Sequence, residues 1–541
     1  MAYKKIISFF FLISPFLVNA QTLPTEKVDV IKDFEVRLKD SEKKDFQPEL
    51  PVIKSSIIPQ NYNVSAKPIQ VSYAPPAIRP LAIKKESSPI IYNSFLKIGG
   101  MLPAGFEGNL GIGKSAENYS IGFSAHHLQL NNDSEFENQK NSWTEGHLFG
   151  TYFTGPIVIK GQLGYTIERL YYYGYQFRTT GDSASIDHFP SEQVFQSFQT
   201  LKGSLSVSNA KENDLKLDYS LRTNFYHLKD NYAAREQGLS FTGHIEKWIA
   251  EKHSVDIHFD GATIQYKDTT DQNLSYINFT PSFAFRHQIF KVIAGVNIIP
   301  ANGEVKIYPS LNLSSQIIPK GLIVEIGVDG KRTMENLRSL TQYNPFIKTR
   351  IQLQPNDMLN IYARAHGSIG KTTYKGEISY VTETALPLFN LVAGDILPRF
   401  NVQFDTIKTI TIMVSGSMPI KDNFSLSGKF ISRTFDAANN DAAWHRIGIE
   451  IEGGLTYTSN DQKLLASLFL NQYSRIPYLK GGIEKAFLLP IMELSAHLEY
   501  QFSPRVSSYI EVNNLTGNEN ARWLYYNRYG INPNLGVKVK F

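Results

Sequence analysis

The residue types best able to do chemistry here are twelve histidines, and their spacing does not assemble them. They are His126, His127, His147, His188, His227, His244, His253, His258, His287, His366, His445 and His497. His126 and His127 are adjacent. Adjacent side chains of an extended chain point to opposite faces, so this pair cannot chelate together. No HExxH sequence and no carboxylate–histidine pair at ligand spacing occurs. The absence of cysteine removes a thiol nucleophile, a cysteine metal site, a disulfide framework and a lipid-modified N-terminal Cys. Gly111-Ile112-Gly113 has no phosphate-loop context and reads as small residues in a strand. Ser, His and Asp are too dispersed to define a triad. The expectation is therefore no catalytic residue, no metal set and no cofactor, with the histidines in a lumen or at an interface. A net charge of +5 over 541 residues, without a dense basic run, argues against nucleic acid as a partner.

The elements that carry these residues have a period of two. At the C-terminus, Leu535, Val537, Val539 and Phe541 alternate with Asn534, Gly536, Lys538 and Lys540. Alternation of this kind gives a strand one apolar and one polar face. The same pattern returns at Leu215–Leu221, Val255–Phe259, Leu322–Val328, Phe424–Phe430, Ile447–Ile451, Leu494–Tyr500 and Val506–Val512. No sustained helical period interrupts it, so the predicted fold class is all-β.

The chain divides into three parts. Lys4 and Lys5, the apolar stretch Ile6–Val18 and Val18-Asn19-Ala20 form a secretory signal peptide, residues 1–20. Residues 21–91 contain Pro24, Pro48, Pro51, Pro59, Pro68, Pro75, Pro76, Pro80 and Pro89 and no glycine. Proline fixes φ and removes a donor, so an extended periplasmic or lumen-lying segment is expected. Recurrent apolar residues make it more than a spacer, with Val28, Val30 and Phe34 as a candidate segment for a periplasmic partner. Residues 92–541 are the strand-rich body.

An ordinary sandwich and a membrane barrel share the alternation, and other features separate them. The apolar faces mix aliphatic residues with Tyr, Phe and small residues rather than the large aliphatics of a sandwich core. Tyr171, Tyr172, Tyr173 and Tyr175 form one aromatic cluster, and Trp523, Tyr525, Tyr526 and Tyr529 another. Such clusters suit aromatic girdles at the two membrane interfaces. Tight turns are predicted at 209–213, 318–321, 354–357, 419–423 and 503–504. Longer polar connections are predicted at 131–141, 179–192, 268–273, 436–443 and 517–532. Barrels have short periplasmic turns and longer outer loops, and a body of this length accommodates about 20–22 antiparallel transmembrane strands. The expected partners are outer-membrane lipid, the barrel-assembly machinery for insertion, and a periplasmic or outer-membrane protein.

Asn513-Asn514-Leu515-Thr516-Gly517, then Trp523–Gly530, then Pro533–Phe541 resemble the end of a TonB-dependent receptor barrel. Tyr308-Pro309-Ser310-Leu311 through Gln342-Tyr343-Asn344-Pro345-Phe346 is similar to that family's mid-barrel strand, loop and Asn-Pro hairpin. Val28-Asp29-Val30-Ile31-Lys32-Asp33-Phe34, followed by the Pro-rich stretch, looks like a plugless group of its relatives. The family carries a glycine-rich plug domain before the barrel, and none is legible between the cleavage site and the first strand.

The resemblance implies uptake or transport across a Gram-negative outer membrane. Two other readings stay open: a passive porin-like channel, or a structural subunit whose tail docks an envelope partner. A barrel this wide is normally plugged. Three occupants are expected to be able to fill it: residues 21–91, inward-folded loops, or a partner protein.

Overall fold

The computed structural model describes residues 94–541, apart from positions 134, 178–187, 211, 212, 214, 251, 302, 303 and 320. The signal peptide and the segment 21–91, with Val28, Val30 and Phe34, lie outside the described residues.

The period-two body forms one closed antiparallel sheet of twenty-two strands. Each strand pairs with its sequence neighbours. The one exception is Leu464–Ser474, which pairs with Ile491–Gln501 and skips a small separate hairpin, Pro477–Lys480 with Glu484–Phe487. The first strand, Phe95–Met101, pairs along its whole length with the last, Asn532–Lys540, from Phe95↔Lys540 to Met101↔Asn534. Phe541 N donates to Ser94 O at 2.9 Å just beyond. With no free edge, each strand of this sheet is paired on both sides within the wall, as a lipid-embedded sheet requires.

The faces sort by chemistry. Ile98, Phe123, Leu148, Leu163, Ile326, Ile412, Leu498, Ile510 and Val537 are exposed on the outer wall. Polar and charged partners meet on the other face. Arg364 reaches Glu325 at 3.1 Å and Glu377 at 2.9 Å across three adjacent strands. Lys429 pairs with Glu452 at 2.9 Å, and Arg433 with Glu450 at 3.1 Å. An apolar exterior and a cross-paired polar lumen are the inverse of a soluble sandwich.

At the seam, Tyr509 lies across Gly536 and Gly99. A Cβ on Gly536 would stand 2.3 Å from both the Tyr509 hydroxyl and the Ile98 carbonyl oxygen. Glycine is what lets the ring lie flat over the closing strand.

One end of the barrel carries the short connections 116–118, 154–156, 287–289, 370–371 and 422–423, together with Ser94 and Phe541. The other carries 132–139, 172–194, 336–353, 438–448, 475–490 and 514–531. Two predicted connections fall differently. Residues 268–273 form a tight hairpin, because Lys267 and Asp271 already pair across it. Residues 354–357 are not a turn but the start of the strand Gln354–Ile369. Asn356 and Asp357 are buried there, and Asp357 accepts from Arg332 Nε at 2.5 Å and from Lys306 at 2.7 Å. The Pro355 that suggested a turn sits near the strand's first residue, where proline is tolerated.

Candidate functional site

The long connections do not stand up from the rim. They fold inward and meet. Tyr171–Phe195 is attached to the wall about half a circumference from the pair Thr372–Leu391 and Phe400–Lys421, yet their loops touch. A Cβ built on Gly174 would lie 3.2 Å from Pro398 Cγ and 3.2 Å from Tyr526 Cε2, a contact of three loops. The buried set Tyr172, Tyr173, Tyr175, Leu337, Leu340, Ile347, Phe389, Phe400, Trp523 and Tyr526 forms one hydrophobic core. It spans the mouth as a cap.

Several local features put these residues there. The strands Thr372–Leu391 and Phe400–Lys421 have 20 and 22 residues, about twice the nine to eleven that cross a membrane. Their surplus carries Phe389 and Phe400 up to the cap. The helix Leu337–Tyr343 starts at Asn336, whose side chain accepts from Ser339 N at 2.8 Å in a reciprocal capping box. Glu236, buried on the strand Arg235–Ile249, five strands round the wall from Leu322–Glu335, accepts from Leu337 N at 2.6 Å and Arg338 N at 3.1 Å, which pins that helix across the mouth. After Asn344-Pro345 the chain extends, burying Ile347, Thr349, Ile351 and Leu353 in alternation. Ile347 makes a parallel bridge to Phe400, and Lys348 N donates to Phe400 O at 2.8 Å. The Asn-Pro element expected as a hairpin is thus the bend between a capping helix and this inward strand.

Aromatic rings lock the loops together. Phe346 stacks on Tyr526 with centroids 3.6 Å apart, and Tyr173 meets Tyr526 edge-on at 5.2 Å. Trp523 packs edge-on against Phe389 at 5.3 Å and Phe400 at 5.6 Å, and stacks on His445 at 5.4 Å. Such pairs contribute about 0.5–1.5 kcal/mol each beyond their buried area. Buried phenols reach backbone oxygens of other loops: Tyr173 to Asn527 O at 2.6 Å, Tyr172 to Ile347 O at 3.3 Å, Tyr526 to Pro398 O at 3.1 Å. Burial pushes the Tyr172, Tyr173 and Tyr526 phenols up, so they remain donors.

A cationic pair sits within this aromatic packing. Arg446 lies 4.3 Å over the Tyr343 ring, and Arg522 lies 4.2 Å over Trp523. Arg522 donates to Tyr343 Oη and to His445 O, both at 3.0 Å. Burial pulls the Arg522 guanidinium down; for Tyr343, burial acts upward but Arg446 and Arg522 outweigh it, and its phenol is lowered. His445 is 1% exposed, and its Nδ1 is 2.7 Å from Phe389 O. Burial, then the neighbouring Arg522, depresses its pKa to about 3, so it is neutral at physiological pH.

The sequence clusters Tyr171–Tyr175 and Trp523–Tyr529 are therefore not a lipid-facing girdle. Tyr172, Tyr173, Tyr175, Trp523 and Tyr526 are buried against one another across the mouth. Three consecutive tyrosines cannot all face lipid from one strand, which was the available signal. Outward aromatic residues are instead Tyr119, Phe123, Tyr152, Tyr165, Phe283, Tyr380, Phe430 and Tyr500. Leu535, Val537 and Val539 lie exposed on the outer face of the closing strand, with Phe541 beyond it. His126 and His127 lie on opposite faces, and His127 Nδ1 meets Thr144 Oγ1 at 2.7 Å. Among the described residues no group of three or more His, Asp or Glu is placed to hold a metal.

A closed twenty-two-stranded barrel with an apolar outer wall and loops gathered at one end defines the class of fold. Solved structures of this architecture match it closely in shape. The FrpB iron transporter from Neisseria meningitidis (F3-3 variant) aligns with a TM-score of 0.64 at 10% identity, over 83% of this chain and 81% of that one. The ferric enterobactin receptor PfeA from Pseudomonas aeruginosa gives 0.60 at 11%, over 83% and 80%. FpvA from Pseudomonas aeruginosa, solved with pyoverdine, gives 0.61 at 8%, over 83% and 72%. The chain therefore has the barrel fold of TonB-dependent receptors, which are transporters and receptors rather than enzymes. No protein-family model and no curated protein matches the sequence.

Proposed function

We propose that this chain is an outer-membrane transport barrel of the TonB-dependent-receptor type, with its long loops on the cell exterior and its termini in the periplasm. The observation that carries the reading is the closed twenty-two-stranded barrel and its likeness in shape to FrpB, PfeA and FpvA. The named neighbours handle iron or ferric siderophores, so a ferric chelate is the first cargo to test. The cap favours gated transport over a passive porin, because a pore crossed by packed aromatic loops does not conduct by default. The segment 21–91, with Val28, Val30 and Phe34, supplies the periplasmic contact in this proposal. The test is uptake of radiolabelled ferric chelates by cells expressing the full chain, with and without a functional TonB system. Uptake that requires both the barrel and TonB supports the proposal. Large open-channel conductance of the unmodified protein in a planar bilayer, with no TonB-dependent uptake, contradicts it.

A further inference from the structure

A second feature lies under the cap, on the lumenal wall. A cavity of about 140 Å³ opens between the mouth ends of Tyr119–Asn131, Lys140–Phe153 and Ile157–Tyr171 and the loops above them. Four aromatic residues, Trp143, Tyr173, Phe346 and Tyr529, line it together with the apolar Leu128, Leu170 and Pro345 and the polar Asn141. Glu168 stands in the same lining, directly opposite Trp143 in the strand register. Its carboxylate makes no hydrogen bond or ion pair with a described residue. Lys140 and Arg169 also border the cavity, but strand alternation places them on the other face. Lys140 is already engaged there, with Ser191 Oγ at 2.8 Å and over the Tyr171 ring at 4.9 Å. Among the described lining residues, Glu168 is thus the ionisable side chain that the wall strands turn into a chamber of mixed aromatic and aliphatic walls.

We propose that this chamber binds a small organic cation of the quaternary-ammonium class. An ionised Glu168 against these aromatic and aliphatic walls is costly unless a cation stands beside it, and a bound cation would hold it ionised. Aromatic faces attract cations through their quadrupole, and an ammonium bearing methyl groups satisfies both the rings and the charge without needing hydrogen-bond acceptors. A volume of about 140 Å³ is close to that which holds a benzene-sized molecule, so a trimethylammonium head fits. A larger polar cation would leave donors unpaired against the rings. This site is independent of the cargo proposed above, because it lies in the wall beneath one side of the cap.

The experiment uses the purified full chain in detergent, with choline as the probe and its uncharged isostere 3,3-dimethylbutan-1-ol as the control. Binding is read by calorimetry and by tryptophan fluorescence. Saturable choline binding is expected, with the isostere bound at least about tenfold more weakly. Glu168→Gln is expected to weaken choline by about tenfold while leaving the weak isostere binding unchanged. Trp143→Phe keeps a ring but not the stronger indole face and is expected to weaken choline several-fold. Retained heat-modifiable mobility on gels shows that each variant is still a folded barrel. Equal binding of choline and the isostere, an unchanged affinity in Glu168→Gln, or no saturable choline binding overturns the proposal.

Discussion

Removing Trp523 should unlatch the cap while leaving the barrel wall intact. Its ring is 5% exposed and touches Phe389, Phe400, Tyr343 and His445, residues contributed by two strand ends and two other connections. Truncating a buried Trp to Ala costs about 3–5 kcal/mol. At about 1.4 kcal/mol per decade, cap opening becomes roughly a hundred- to a few-thousand-fold more frequent. The wall ladder contains none of these contacts, so heat-modifiable mobility should not change. The chain has no cysteine, which makes a single-cysteine reporter clean. Thr341→Cys places a thiol in the helix of the cap, at a site 6% exposed. In intact cells, a membrane-impermeant maleimide should label Thr341→Cys slowly, and label it at least about a hundredfold faster when Trp523→Ala is added. A rate changed by less than about twofold would refute the view that this ring latches loops from several parts of the wall.

Other outcomes follow from the same contacts. Glu236→Ala leaves Leu337 N, Arg338 N and the Tyr226 hydroxyl without their buried acceptor, at about 1–3 kcal/mol; hydrogen exchange should rise in 337–343 and stay unchanged in the wall strands. Gly536→Val drives a side chain into Tyr509 and the Ile98 carbonyl, and the fraction of chain reaching the heat-modifiable form should fall sharply. The His445 prediction depends on the sign of its shift. Its folded pKa of about 3 lies below the ordinary histidine value, so the opened cap binds the extra proton. Closure is then fully stable above about pH 6.5 and weakens as pH falls toward 3, by about 2 kcal/mol at pH 5. The labelling rate of Thr341→Cys, divided at each pH by that of a fully exposed single-cysteine control to remove the fall in thiolate, should therefore rise from pH 7 to pH 5, and His445→Gln should remove most of that rise.

The sequence made the wall legible and the cap almost invisible, for a physical reason. Strand alternation is a local property, so Leu322–Val328 or Leu494–Tyr500 announces its two faces without knowledge of its neighbours. The apolar faces at the closing strand and at Val506–Val512 are where the outer wall stands. The cap depends on contacts such as Tyr173 with Asn527 and Tyr172 with Ile347, which lie 354 and 175 residues apart and have no period. Pro355 and Asp357 looked like a turn because turn chemistry is also local. The buried pair of Asp357 with Arg332, which makes that stretch a strand, is not. Glu168 and Trp143 become neighbours only through register.

The most direct measurement of the central claim, that loops from opposite sides of the wall meet over the mouth, is a cross-link between two of them. Gly174→Cys and Pro398→Cys would place their side chains within disulfide reach, since a Cβ at 174 lies 3.2 Å from Pro398 Cγ. With no native cysteine to compete, mild oxidation of intact cells followed by peptide mass spectrometry gives a single readout. A mouth closed by its own loops predicts efficient formation of the 174–398 disulfide in wild-type background and its reduction in yield with Trp523→Ala. Failure of the pair to cross-link in a folded, surface-exposed barrel would contradict the closed mouth.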